Sequence, residues 1–387
     1  MDPTCDPTAE RIAEGLGFSC RHAHPIVTFR DPFSLSSGTM PVLELLIVGG
    51  AVFALCHAWR RWRRGGDPVS LTLWFASVAY LAVIEPPLYF PGWFGLDKQV
   101  GFIFSHNVFT VQFMYDRLPL YIVAFYPALS QLAYELVRTL GVFARRGAFA
   151  GALAVAFVCQ VFYEIFDQLG PQLRWWAWNP DNTKVNRPSL ASVPMNSMFL
   201  FASVSFAGLV YLVVRLAGAG TGKGAENRAG ARTGPGIVWR SVVAGILAPA
   251  AMSIAGAPAG LFQGHGHLAV QRTVIGVELA LVWIVGLGLM ADAWRAPHTD
   301  PPPSPLFAHA YPPIYLGVLV ALWLIALPAY FAAHDGVTEQ GTPIGSLWYS
   351  TLCAAAAAGI IVAAWRATSS RQARTTMSAP MSDPVKS

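Results

Sequence analysis

The sequence predicts an all-α, polytopic membrane protein, a bundle of about nine transmembrane helices, and three observations carry that reading. Nine apolar stretches run through the 387 residues, each near the roughly 20 residues that cross a hydrocarbon core. Only 12% of the residues are charged and 54% are hydrophobic, about half the charge of an ordinary soluble domain. The arginines between the stretches fall in alternate connections, the signature of cytoplasmic loops. The net charge of +5 therefore reads as a topology signal and not as a nucleic-acid surface.

The spans are 41–59, 69–90, 118–140, 148–169, 194–216, 239–262, 269–294, 313–332 and 347–365. Backbone polar groups find no water in lipid, so each must be helical. The first opens at Pro41 and stops at Arg60, Arg61, Arg63 and Arg64. The second carries Glu85 just before Pro86 and Pro87, and the third ends in Glu135 and Arg138. The fourth follows Arg145 and Arg146, and the fifth opens on Asn196 and closes on Arg215. Pro249 and Pro258 interrupt the sixth, whose loss would invert everything after it. The seventh holds Glu278, the eighth Pro328, and the ninth leads into Arg366, Arg371 and Arg374.

Seventeen of the 26 Lys and Arg fall on one side of this arrangement, which places the N-terminus outside and the C-terminus in the cytoplasm. Residues 1–40 then form an extracytoplasmic segment, 41–366 the bundle and 367–387 a disordered cytoplasmic tail. No cleavable signal pattern precedes Pro41. An outside tail permits a disulfide between Cys5 and Cys20, whereas Cys56, Cys159 and Cys353 sit in apolar runs. Residues 91–117 are apolar from Gly101 to Met114, too short to span, and read as a re-entrant or interfacial segment folded over the bundle. The second outer loop, 170–193, gathers Trp175, Trp176 and Trp178.

Ionisable residues inside a membrane are costly and face a cavity or a partner. Glu135 lies near the cytoplasmic surface and reads as a surface salt bridge to Arg138 three residues on. Gln160, Glu164, Asp167 and Gln168 form one polar stripe on the fourth helix. With Glu85, Glu278, Asn196 and the outer residues His106, Asn107, Asp116 and Arg117, they could define one polar-bottomed cavity. Plain hydrogen bonding between helices is the competing reading, with Glu278 paired to Arg272 and Asp167 to Arg174. Two carboxylates close together in an apolar cavity do not both ionise, which leaves an acid beside a base. Tyr163, Phe162, Phe166 and the three Trp could hold a carbocation against their ring faces, or form an interfacial belt. His265 and His267, an H-x-H in a loop, could bind a metal with His106, though the spacing is weakly diagnostic. The stretch GAGTGKG lacks the first Gly and the Ser/Thr of a phosphate loop.

Asp167, then Trp176-x-Trp178, then Val193-Pro194-x-Asn196 opening a helix resembles membrane carotenoid-modifying proteins of the bisanhydrobacterioruberin hydratase and lycopene-cyclase-like type. The resemblance covers residues 164–200. It implies an all-helical, cofactor-independent enzyme that works by acid catalysis on the end of a polyene. Asp167 and Asn196 would line its site, with Glu164 nearby. The chain departs from that pattern in its larger number of helices, its apolar outer segment and its MFLFASVSF stretch.

Three functions follow as expectations. The first is a hydratase or cyclase of an isoprenoid or carotenoid lipid that enters from the bilayer. Glu164 or Asp167 is its general acid, and the other carboxylate or Glu85 its base. His106, Asn107, Tyr163, Trp176, Trp178, Asn196 and Glu278 contact substrate, and no metal or cofactor takes part. The second is a proton-coupled transporter, suited by intramembrane Glu and Pro-broken helices, although no internal repeat is visible. The third is a non-catalytic interaction subunit docking through residues 101–114.

Overall fold

The computed structural model describes residues 5–218, 233–263, 266–296 and 306–377, with side chains as far as residue 368. Among the described residues, nine helices are long and apolar enough to cross a membrane. A short helix α1, Pro7–Gly15, precedes them. The spans are α2 Met40–Gly65, α3 Val69–Tyr89, α4 Leu120–Thr139, α5 Val142–Asp167 and α6 Ser197–Ala217. They continue as α7 Gly234–Gly260, α8 Leu268–Arg295, α9 Leu306–Phe331 and α10 Leu347–Met377. The chain is a mostly helical, multi-pass bundle.

Local chemistry sets the helix ends. Helix α2 has Pro41 in its first turn and stops at Gly66 in the left-handed region, whose N–H caps Arg61 and Trp62 carbonyls. Arg63 and Arg64 in its last turn complement the helix dipole. Gly147, at φ 81°, breaks α5 into a short turn and the long span that begins at residue 148. Helix α7 is capped by the Thr233 hydroxyl, which accepts from Gly236 N at 3.1 Å. It passes through Pro249 and Pro258 unbroken, so the sixth span exists. The first turns of α6, Ser197–Ser205, are π-helical, with Ser203 Oγ donating to Met198 O five residues back at 3.3 Å. Helix α10 continues past Arg366 to Met377, into the stretch that composition reads as a disordered tail. The rest of that tail lies outside the described residues.

Helices α4 and α5 form the centre. Within their apolar windows 89% of α4 and 78% of α5 are buried, against 17% of α8. Helix α4 is buried all round, polar Ser130, Gln131 and Glu135 included.

One end of the bundle carries a folded cap of residues 5–39, 91–117 and 170–193. The apolar segment 91–117 folds over the bundle, as expected, and contains short strands. Strand β1 (Val27–Phe29) pairs antiparallel with β3 (Val111–Phe113), and β3 with β4 (Leu118–Pro119). Strand β2 (Phe104–His106) pairs with β5 (Trp176–Trp178), and β6 (Ser189–Leu190) with β7 (Val193–Pro194). The expectation of an all-helical chain is corrected to this extent. These extended segments find backbone partners in each other, which a lone apolar loop could not. Cys5 and Cys20 form a disulfide that staples α1 to the following turn. Leu16 and Phe18 pack on Val108 and Ala177, and Trp175 Nε1 donates to Thr39 at 2.8 Å. The N-terminal segment is thus part of the cap.

At the opposite end, Glu135 is fully buried and not the surface residue expected. Its carboxylate accepts from Ser70 Oγ at 2.7 Å and pairs with Arg61 at 3.2 Å and Arg138 at 3.3 Å. His57 Nε2 lies 3.1 Å away, and Arg61 also pairs with Asp67. The ends of α2, α3 and α4 converge there, so the pair is enclosed by three helices.

Candidate functional site

A cavity of about 90 Å³ lies where the cap meets the bundle. Helix α3 contributes Glu85 from its last turns. Helix α4 gives Phe125 and Tyr126; α5 gives Tyr163, Phe166 and Asp167; α6 gives Asn196, Ser197 and Phe201. The cap closes it with Phe104, His106, Trp176, Trp178 and Asn186.

The strand register explains the cap's contribution. His106 lies opposite Trp176, and Phe104 opposite Trp178. Side chains two apart share a face of a strand, so all four point the same way. Gly170 lets this ribbon approach the end of α5. A Cβ there would lie 2.0 Å from the Trp176 ring, which rests 4.8 Å from the Phe166 ring.

Asp167 and Glu85 are both buried. Ser197 Oγ donates to Asp167 at 3.0 Å, and Tyr126 Oη donates to Glu85 at 2.5 Å. Glu85 Oε2 is buried and unpartnered. Among the described residues no ion pair reaches either carboxylate. The indole nitrogens of Trp176 and Trp178 and Oδ1 of Asn186 are also buried without partners. The wall therefore offers both donors and acceptors to whatever enters.

His106 is neutral and its tautomer is set by its neighbours. Tyr121 Oη spends its proton on Trp175 O at 3.0 Å, so it accepts from His106 Nδ1 at 3.1 Å. Burial pushes the imidazole down to about 3. The remaining nitrogen, Nε2, is then an acceptor. Asn196 Nδ2 donates to Val185 O at 3.0 Å, and Asn186 Nδ2 to Ile103 O at 2.8 Å. Both tie the strand-forming loops to the mouth of α6.

The cavity gathers Glu85, His106, Tyr163, Asp167, Trp176, Trp178 and Asn196, as the sequence leads one to expect. Glu164, Asn107 and Glu278 do not reach it, and neither do Asp116, which pairs with Arg30, and Arg117. Glu164 neighbours Asp167 on the helix but does not line the cavity: three residues advance a helix by about 300°, which leaves the two roughly 60° apart. Glu164 accepts from Gln168 Nε2 at 3.1 Å. Its stripe partners turn to α10, Gln160 donating to Tyr349 Oη at 3.0 Å and Gln168 accepting from Ser346 N at 2.8 Å. Asn107 is absorbed by the cap, where its amide donates to Ser36 Oγ at 2.9 Å and to Arg174 O at 2.6 Å. Glu278 lies half-buried on α8, outside the cavity and without an ion pair to Arg272. Arg174 donates to Gln340 O at 2.9 Å and forms no pair with Asp167. Of the histidines considered for a metal, His106 bonds Tyr121, His267 is exposed beside Phe262, and His265 lies outside the described residues.

Sequence reasoning missed Tyr126, Ser197 and Asn186. Tyr126 and Ser197 each carry a hydroxyl within a spanning helix, a usable signal once Glu85 and Asp167 need donors. Asn186 gives none, because its position depends on the loop's own turns.

Two carboxylates, each held by one hydroxyl inside an aromatic wall, can move a proton on and off a bound molecule. The ring faces can steady positive charge that develops between them. No family model, curated protein or solved structure matches this chain.

Proposed function

We propose that the protein is a cofactor-independent membrane enzyme that hydrates or cyclises the end of an isoprenoid or carotenoid chain by acid catalysis. The observation that carries this reading is the pair Glu85 and Asp167 in one aromatic-lined cavity, with no ion pair to either among the described residues. In this reading Asp167, oriented by Ser197, gives its proton to an alkene carbon of the substrate. The π pair forms the new C–H bond and leaves a tertiary cation. Phe125, Tyr163, Phe166, Trp176 and Trp178 hold that cation against their faces. Glu85, oriented by Tyr126, takes a proton either from an attacking water, which gives an alcohol, or from the neighbouring carbon after ring closure. His106, Asn186 and Asn196 position the reacting end.

The resemblance of residues 164–200 to carotenoid-modifying membrane proteins supports the substrate class. The distribution of arginines supports an outside cap, a cytoplasmic C-terminus and a cavity near the outer leaflet.

The test is mass-resolved chromatography of lipid extracts from a carotenoid-producing host, with and without the protein. A product heavier by one water identifies a hydratase. An isomer of unchanged mass with altered absorption identifies a cyclase. Unchanged extracts across carotenoid and prenyl-lipid hosts overturn the proposal.

A further inference from the structure

A second concavity, of about 440 Å³, lies on the other side of the α6 opening, between α6, α8 and α10. The two hollows share a wall. Pro194, Asn196 and Ser197 face the cavity described above, whereas Met195 and Met198 line this groove.

The groove has two chemically different parts. Its length is apolar: Leu279, Trp283, Trp348 and Leu352 stand around Gly276 and Ala280. Arg272, Gly276, Leu279, Ala280 and Trp283 follow helical spacing, so they form one face of α8. Glu278 lies two positions from Gly276 and so projects from the other side of the helix. The cap end of the groove is cationic. Arg272 is exposed, lines the groove and joins no ion pair among the described residues. Ser189 also lines it, and its hydroxyl accepts from Nη1 of the exposed Arg187 at 3.0 Å. The groove also borders α8, the least buried span, so one side opens where lipid would lie.

We propose that this groove is a specific site for a bilayer phospholipid with an anionic headgroup. One acyl chain runs between α8 and α10 over Gly276, against Trp283 and Trp348. The phosphate lies at the cap end with Arg272 and Arg187, which bind it by charge-assisted hydrogen bonds. The pairing of an apolar trough with two guanidinium groups that join no ion pair among the described residues matches a lipid's own division into chain and head. The site does not depend on the reaction proposed for the neighbouring cavity.

Native mass spectrometry of the purified full-length protein, titrated with phosphatidylglycerol or phosphatidylcholine, tests it. The wild type should retain phosphatidylglycerol in preference to phosphatidylcholine. Arg272→Gln should bind phosphatidylglycerol about tenfold more weakly, as expected for the loss of one charged contact. Gly276→Leu should exclude both lipids from the site. A Cβ at Gly276 comes no nearer than 4.0 Å to Met195 Cε, so the larger side chain enters the groove without displacing backbone. Arg187→Gln should show a smaller loss than Arg272→Gln. Equal retention of the two lipids, an unchanged preference in Arg272→Gln, or displacement of the lipid by inorganic phosphate alone overturns the proposal.

Discussion

The two ends of the bundle bury carboxylates in opposite ways. Glu135 meets two guanidinium groups, a hydroxyl and an imidazole. Glu85 and Asp167 are also buried, yet among the described residues their partners are hydroxyl groups and no ion pair reaches either. A buried charge surrounded by partners holds helices in place, and removing one member leaves the others uncompensated. A carboxyl group left with spare valence beside a cavity contributes little to the fold and is free to exchange a proton. The contrast gives Glu135 an architectural role and leaves the cap-end pair open to the chemistry proposed for it.

The largest effect should come from the structural end. Glu135→Gln removes the negative charge that Arg61 and Arg138 share and leaves them Asp67 alone. Breaking a buried pair from one side costs about 3–5 kcal/mol, a large part of a typical total stability. Thermal unfolding in detergent should show a drop of that order. A melting temperature close to wild type would erase the distinction drawn between the two ends.

At the cap end, Asp167→Asn and Glu85→Gln should each lower product formation by about 10²–10⁴-fold, the usual contribution of a general acid or base. Both substitutions keep the side-chain shape and the hydroxyl neighbour, so melting temperatures should stay near wild type. Glu164→Gln should retain activity, since Glu164 lies outside the cavity. Product formation abolished by Glu164→Gln and retained in Asp167→Asn would reverse the assignment of the two carboxylates.

How much of this could be read from the chain differs between the bundle and the cap. The nine spans were legible because run length alone decides them, and Gly147 even marks where the fourth begins. The cap was not, because strands of three residues carry no periodic pattern. Phe104 finds its partner at Trp178, far along the chain. For the same reason the site was legible as a set of residues and not as a geometry. Glu85, Asp167, His106 and the tryptophans stood out as polar or aromatic groups in the wrong solvent. Whether Glu164 or Asp167 faced inward turned on a rotation of roughly 60°, finer than a stripe of four residues resolves. Asn107 looked like a site residue because its amide could serve either a ligand or the backbone, and the cap's carbonyl of Arg174 took it.

A smaller effect sharpens the cap-end picture without touching a carboxylate. Gly170→Ala would place a methyl group 2.0 Å from the Trp176 ring. The indole must shift, and overpacking of this kind costs about 1–3 kcal/mol. Because Trp176 lines the cavity, product formation should fall along with stability. Ala in place of Gly218, outside the cavity, should lower stability only. Equal activity in Gly170→Ala and wild type, measured on folded protein, would show that the position of Trp176 does not matter to the reaction.

The smallest effect concerns a further carboxylate, paired like Glu135 but close to water. Glu10 accepts from Ser19 Oγ at 2.7 Å and Cys20 N at 2.9 Å, with Arg21 at 3.2 Å. The Ser19 hydroxyl, ahead of the Cys20 amide and the Arg21 charge, holds its carboxyl below the ordinary value. A group depressed in the folded state stabilises it above the unfolded value and loses that contribution as pH falls. The turn between α1 and Cys20 should therefore loosen below about pH 4.5, while Glu10→Gln should be loose already at neutral pH and respond less to acid. Amide hydrogen exchange across residues 7–20 reads this directly. The disulfide between Cys5 and Cys20 keeps the segment tethered in both cases, so the change should stay local. Exchange that rises equally in wild type and Glu10→Gln as pH falls would move the acid sensitivity elsewhere in the cap.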